Sequence, residues 1–181
     1  MRKTKGKFKY YSFEHNNKKK NKRVLILYHG WGGTAESYTD LAEELIKDGY
    51  IVIVPEIIFN DTRYPLENHF DQVTTQYYFW RTITESIDEF NDFITALEIN
   101  KRDIVLVGSS MGGFIANGIF ARESKLMGLV NINGSGSFVL SERTFRKRDN
   151  RGELTPALLE VLREKGSILL WIGLEDIYKR R

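Results

Sequence analysis

Apolar residues in this 181-residue chain fall into short continuous runs, separated by stretches in which they recur every three or four positions. The runs "RVLILYH" (23–29), "YIVIVP" (50–55), "DIVLVG" (103–108) and "LMGLVNIN" (126–133) have the pattern of strands buried on both faces. "SILLWIG" (167–173) predicts a further strand of this kind. "KFKYYSF" (7–13) alternates instead and is rich in aromatics, as an edge strand would be. Its pairing is expected to be antiparallel with 23–28, through the turn "EHNNKKKNKR".

Between the runs lie helical patterns. Thr34 can cap a helix with Tyr38, Leu41, Leu45 and Ile46 on its apolar side, ended by Gly49. Residues 56–74 are polar and irregular and predict a long loop. Ile83, Ile87, Phe90, Ile94 and Leu97 alternate in steps of four and three, which predicts a long helix over 75–98. Residues 110–122 predict another helix. After a basic, polar insertion, Thr155 as N-cap and Pro156 at the first helical position open a short helix that Gly166 stops. Strands alternating with helices, all apolar, predict an α/β fold: a mostly parallel sheet covered on both faces. The chain shows no internal repeat. It is read as one domain over 1–181, with 134–166 as a short lid-like insertion.

Composition narrows this picture. With 41% hydrophobic residues a chain of this length can bury a core. There is no cysteine, so disulfides and thiolate metal sites are excluded. The basic start "MRKTKGKFKY" lacks the apolar segment of a secretory signal, and no apolar run reaches membrane-spanning length. The expected location is the cytoplasm, with no membrane partner. The formal charge of +3 is uneven: residues 1–23 carry ten Lys/Arg against Glu14 alone. Such an arm could touch nucleic acid, but no stacking platform or recognition motif accompanies it. It is read as a solvated turn, and no nucleic-acid partner is expected.

The chemistry should lie at the carboxyl ends of the strands. After "DIVLV" comes "GSSMGG", with Gly108-x-Ser110-x-Gly112 between a strand and a helix. That is the frame of a nucleophile elbow. Small residues let backbone and helix pass closely, and Ser110 stands exposed at a helix start that favours developing negative charge. After "RVLILY" comes "HGWGG" (29–33), whose glycines let backbone approach a substrate. An oxyanion formed in acyl transfer needs preorganised donors. The N–H of Met111 and that of Trp31 are the candidates.

"HGWGG", a strand ending in Pro, "GSSMGG" and "LLWIGLED" together resemble the α/β-hydrolase family, in particular its small bacterial esterase and dienelactone-hydrolase-like members. The resemblance covers about residues 23–176. It implies a serine hydrolase for small ester, thioester or amide acyl groups, with a small-molecule substrate and no cofactor or metal. In that family an acid follows the seventh strand in a Gly-x-x-Asp frame, which falls here on Gly173 and Asp176, with Glu175 as the weaker neighbour. The resemblance makes His29 and Gly30 part of the supporting loop motif, alongside Gly108 and Gly112.

The family's chain order is nucleophile, acid, histidine, the last after one more helix and strand. This sequence ends before such a segment and is expected to be truncated ahead of the catalytic histidine. It contains His15, His29 and His69 alone. His15 is expected at the amino edge of the sheet, a strand length of about 20 Å from the site. His29 belongs to the oxyanion loop. His69 follows a strand that emerges on the catalytic side and is the candidate substitute base. The expected activity of the chain is therefore impaired, and a non-catalytic hydrolase-like module is the alternative. "GWGGTA" also reads as Gly30-x-Gly32-x-x-Ala35, a dinucleotide fingerprint with Glu56 as ribose acid. His29 and bulky Trp31 argue against it, and "GSSMGG" would then serve no purpose. Residues 167–172, apolar and uncharged, would form an exposed edge and a possible homodimer contact. The arginines of the insertion, Arg143, Arg146, Arg148 and Arg151, with Lys147, would favour anionic substrates.

Overall fold

The computed structural model describes residues 1–15 and 23–166. Its strands are β1 (Arg2–Lys5), β2 (Phe8–Phe13), β3 (Val24–Tyr28), β4 (Ile51–Pro55), β5 (Ile104–Ser109) and β6 (Gly128–Ile132). Its α-helices are α1 (Thr39–Lys47), α2 (Gln72–Ala96), α3 (Met111–Phe120), α4 (Phe138–Arg148) and α5 (Pro156–Lys165). The strands form one sheet in the order β1-β2-β4-β3-β5-β6. β4, β3, β5 and β6 run parallel, and β1 and β2 are antiparallel additions at one side.

The continuous apolar runs are explained by burial on both faces. Val24, Ile26 and Tyr28 of β3 pack on one side with Ile83, Ile87 and Phe90 of α2 and Ile115 of α3. Leu25 and Leu27 pack on the other with Val52, Val54 and Ala42 of α1. Period-two alternation thus sends successive residues of one strand into two separate cores. The long helix is found, with its stripe of Ile83, Ile87, Phe90 and Ile94 buried. It starts at Gln72, because the Asp71 carboxylate accepts the Thr74 N–H. α5 opens as expected, with Thr155 accepting from the Leu158 N–H and Gly166 at its end.

The structure differs from the sequence reading in three places. β2 pairs with β4 (Tyr10 opposite Pro55, Phe13 opposite Val52), not with β3, whose two edges are occupied by β4 and β5. β2 and β3 are thus separated by β4, and residues 16–22 of the expected turn lie outside the described residues. The edge belongs to β1, an exposed strand of charged and polar residues. In α1 the core position is Ala42, while Leu41 is exposed. Helix α4 lies where a polar insertion was expected. Its local signal is weak, since no side chain caps it, and tertiary contacts hold it: Phe138 is buried against Trp80 and Phe114. The strand expected at 167–173, and the dimer contact through 167–172, lie outside the described residues. Among the described residues, no helix is long and apolar enough to cross a membrane.

Candidate active site

β5 runs into α3 through one residue, Ser110, whose backbone stands at φ 52°, ψ −117°. A non-glycine residue there is strained by about 1–3 kcal/mol and persists only where its surroundings over-determine it. They do so here. The Ser110 N–H donates to the Ile132 carbonyl at the end of β6, 2.9 Å away, and its own carbonyl accepts from Gly113 N–H at 2.9 Å. The turn is also packed to backbone contact. A Cβ on Gly112 would lie 2.0 Å from the Tyr28 carbonyl oxygen, and one on Gly108 would lie 2.1 Å from the Gly112 oxygen. Neither position has room for a side chain. The helix that follows is buried from Met111 to Ile119, so the elbow is anchored in the core.

The loop after β3 lies against this turn. A Cβ on Gly30 would stand 3.4 Å from Ser110 Cβ and 3.8 Å from its Oγ. The N–H groups of Trp31 and Met111 donate to no other described residue. The loop is tied down by residues the sequence reading did not single out. Asp61, in the long loop after β4, accepts from Ala35 N–H at 2.7 Å and Ile57 N–H at 3.2 Å, and it meets His29 Nε2 at 2.8 Å. Its neighbour Asn60, fully buried, accepts from Gly32 N–H at 3.1 Å. The available signal was positional: this loop leaves β4 at the same sheet end as the elbow.

Each histidine of the chain has a definite place. His29 is fully buried, with Nδ1 2.9 Å from the Gly30 carbonyl and Nε2 on Asp61. A carbonyl can only accept, so Nδ1 is the donor in the contact with Gly30, while Nε2 faces the Asp61 carboxylate. Both ring nitrogens are thereby engaged. His69 donates from Nε2 to the Phe59 carbonyl at 2.8 Å. Its own carbonyl accepts from the Trp31 indole N–H and the Thr75 hydroxyl, each at 2.7 Å. It buttresses Trp31, with ring centroids 5.0 Å apart. His15 follows β2, whose last residue pairs with Val52 near the start of β4. It lies at the amino end of the parallel strands, as expected, although through a different strand partner. Asp176 and Glu175 lie outside the described residues.

Ser110 opens into a cavity of about 550 Å³ whose apolar wall includes Trp31, Phe79, Trp80, Phe114 and Phe145. Among the described residues, no histidine lines it. Helix α4 forms one side through a polar node. The buried Glu142 carboxylate accepts from Trp80 Nε1 at 2.7 Å, Arg146 Nε at 2.8 Å and Arg151 Nη1 at 3.0 Å. Arg148 pairs with Asp149 at 2.8 Å. Three of the five cations expected to attract anions are thus held in internal ion pairs. The Arg148–Asp149 hydrogen bond and ion pair lower the Asp149 carboxyl below its ordinary value. The acid of the rival dinucleotide reading is also occupied: Glu56, buried, accepts from Arg2 Nε at 2.7 Å and the Thr62 hydroxyl at 2.6 Å.

Comparison with known proteins fits this architecture. The model of the dienelactone hydrolase family matches residues 8–178. The chain is 25% identical over 174 residues to the esterase YjfP of Escherichia coli strain K12, covering 84% of this chain and 68% of that protein. Among solved structures, TT1662 from Thermus thermophilus superposes with a TM-score of 0.66 at 17% identity, covering 91% of this chain and 66% of that one. A putative dienelactone hydrolase from Klebsiella pneumoniae gives 0.54 at 19% identity, covering 71% of this chain and 55% of its own length. These structural likenesses carry the α/β-hydrolase fold, and the chain spans between about half and two thirds of those two solved structures. With the family match running over nearly its whole length, the chain belongs to the dienelactone hydrolase family of α/β-hydrolases.

Proposed function

We propose that the chain carries the site of a serine hydrolase for small ester, thioester or amide acyl groups, and that neither His29 nor His69 serves as its base. The observation that carries the first half is the strained Ser110 backbone between β5 and α3, at the mouth of a cavity. Strain of this kind aims a hydroxyl at a substrate carbonyl. The N–H groups of Trp31 and Met111 hold the oxyanion that forms when Ser110 Oγ attacks. Asp176 is the acid by its frame, and residues 134–166 cover the cavity as a partial lid.

The second half rests on proton transfer. A serine hydroxyl is a weak nucleophile until a positioned base takes its proton. Asp176 orients an imidazole and does not replace one. His29 is engaged at both nitrogens, and His69 bonds to a backbone carbonyl outside the cavity wall. Without a base, binding and the oxyanion hole leave roughly 10³–10⁴ over water, against a loss on the order of 10⁶ in turnover. The same placement of histidines favours the second reading, a hydrolase-like module that binds and does not turn over.

The experiment is fluorophosphonate labelling of Ser110 together with p-nitrophenyl acetate hydrolysis. Slow labelling that Ser110→Ala abolishes, with near-background hydrolysis, is the expected result. Fast turnover that His69→Ala abolishes would make His69 the base. Fast turnover unaffected by that substitution would overturn the account of the site.

A further inference from the structure

The apolar part of the Ser110 cavity wall is Leu140 and a set of aromatic rings packed edge to face, beside more numerous polar residues. Phe79 is the hub, with centroid distances of 5.8 Å to Trp31, 5.9 Å to Phe114 and 5.9 Å to Phe145, and interplanar angles of 72°, 78° and 84°. Trp80 meets Phe114 in the same manner at 5.5 Å. Phe145, on α4, has the Arg148 guanidinium 5.5 Å from its centroid. A ring cluster in this geometry offers an entering group both positive edges and negative faces, which another arene complements and a saturated ring of equal size does not.

Charge points the same way. The cavity-wall cations Arg148 and Arg151 are matched by the wall carboxylates Glu142 and Asp149, which they bind directly. Glu142 also holds Arg146, so each of these three guanidinium groups already has a carboxylate partner and none is left unpaired for a substrate's extra carboxylate. A volume of about 550 Å³ admits a ring plus a short linker reaching Ser110.

From these observations we infer that the cavity selects an uncharged aromatic acyl group, with Phe145 as the specificity-determining side chain contributed by α4. The inference rests on the reading of Ser110 as the nucleophile. It goes beyond that reading by fixing the class of the acyl group. The aryl ring packs among Phe79, Phe114 and Phe145, and the carbonyl end lies at Ser110.

The test uses uncharged amides, which an impaired hydrolase leaves intact. Phenylpropanamide and cyclohexylpropanamide, equal in chain length and charge, are titrated into the full chain by calorimetry. The expected result is binding of the phenyl compound about tenfold tighter, the size of effect that a few aromatic contacts supply. Phe145→Leu should bring the two compounds within about twofold, with its melting curve recorded as a check on folding. Equal affinities in the wild-type chain overturn the inference without reference to any variant, as does tenfold selectivity that persists in a folded Phe145→Leu. Fluorophosphonate labelling of Ser110 is read separately. Aryl-selective binding with Ser110 unlabelled removes the nucleophile reading and leaves the arene pocket. Labelled Ser110 with equal affinities does the reverse.

Discussion

Replacing Asp61 by alanine should destabilise the protein more than any other single change in the loops around Ser110. The carboxylate is 5% exposed and faces a histidine that is fully buried. It accepts from Ala35 N–H, Ile57 N–H and the His29 ring at 2.7, 3.2 and 2.8 Å. Alanine leaves all of these without an acceptor in a site closed to water. An orphaned buried donor costs about 1–3 kcal/mol. With three contacts losing their acceptor and partial relaxation around the smaller side chain, the expected loss is about 3–5 kcal/mol. Against a total stability of about 5–15 kcal/mol that is a large fraction. For a chain of this size it lowers the melting temperature by roughly 6–20 °C. Urea unfolding at pH 7, followed by both circular dichroism and tryptophan fluorescence, measures it. Asp61→Asn should lose less, since its amide oxygen still accepts from one N–H. A double-mutant cycle with His29→Ala should give a coupling of about 0.5–3 kcal/mol. A loss below about 1 kcal/mol for Asp61→Ala, no more than an average point mutation costs, would refute the claim that this carboxylate holds the loop.

Three further outcomes follow from the packing and the ion pairs. Gly112→Ala should cost at least about 1–3 kcal/mol and abolish fluorophosphonate labelling, because its Cβ would lie 2.0 Å from the Tyr28 oxygen and 2.7 Å from the His29 oxygen, both backbone atoms that side-chain motion cannot relieve; wild-type labelling would refute this. Phe138→Ala should cost about 3–5 kcal/mol by hollowing the contact with Trp80 and Phe114, and its urea midpoint should fall accordingly. Burial by itself raises the Glu123 carboxyl, but hydrogen bonds from Lys101 and Asn91 outweigh it and hold the group below its ordinary value. Its contribution is then present above the unfolded-state value of about 4.3 and lost as pH falls through the lower folded value. Wild type should therefore lose more stability between pH 7 and pH 3 than Glu123→Gln, and equal losses would sink the assignment.

The buried strands, the long helix α2 and the elbow were legible in the sequence because each is governed by neighbours close along the chain. A strand covered on both faces must be apolar throughout, as 24–28 is, and an amphipathic helix must repeat its apolar residues at its own period, as 83–94 does. The elbow was legible because a sharp turn packed against backbone demands small residues at fixed offsets, and Gly108 and Gly112 stand at those offsets. What the tertiary structure alone decided involves partners far apart in sequence. The alternation of 7–13 marks a strand but carries no record of its neighbour, so β2 lies beside β4 and not β3. Helix α4 has no cap and a weak pattern of its own, and Phe138 and Glu142 are held by Trp80, some sixty residues earlier. The clearest case is the set of histidines. Nothing in the residues around His29 or His69 shows that Asp61 and a backbone carbonyl already hold their ring nitrogens. A buried polar group must find its hydrogen-bond partner wherever the fold brings one, and only the folded chain determines which that is.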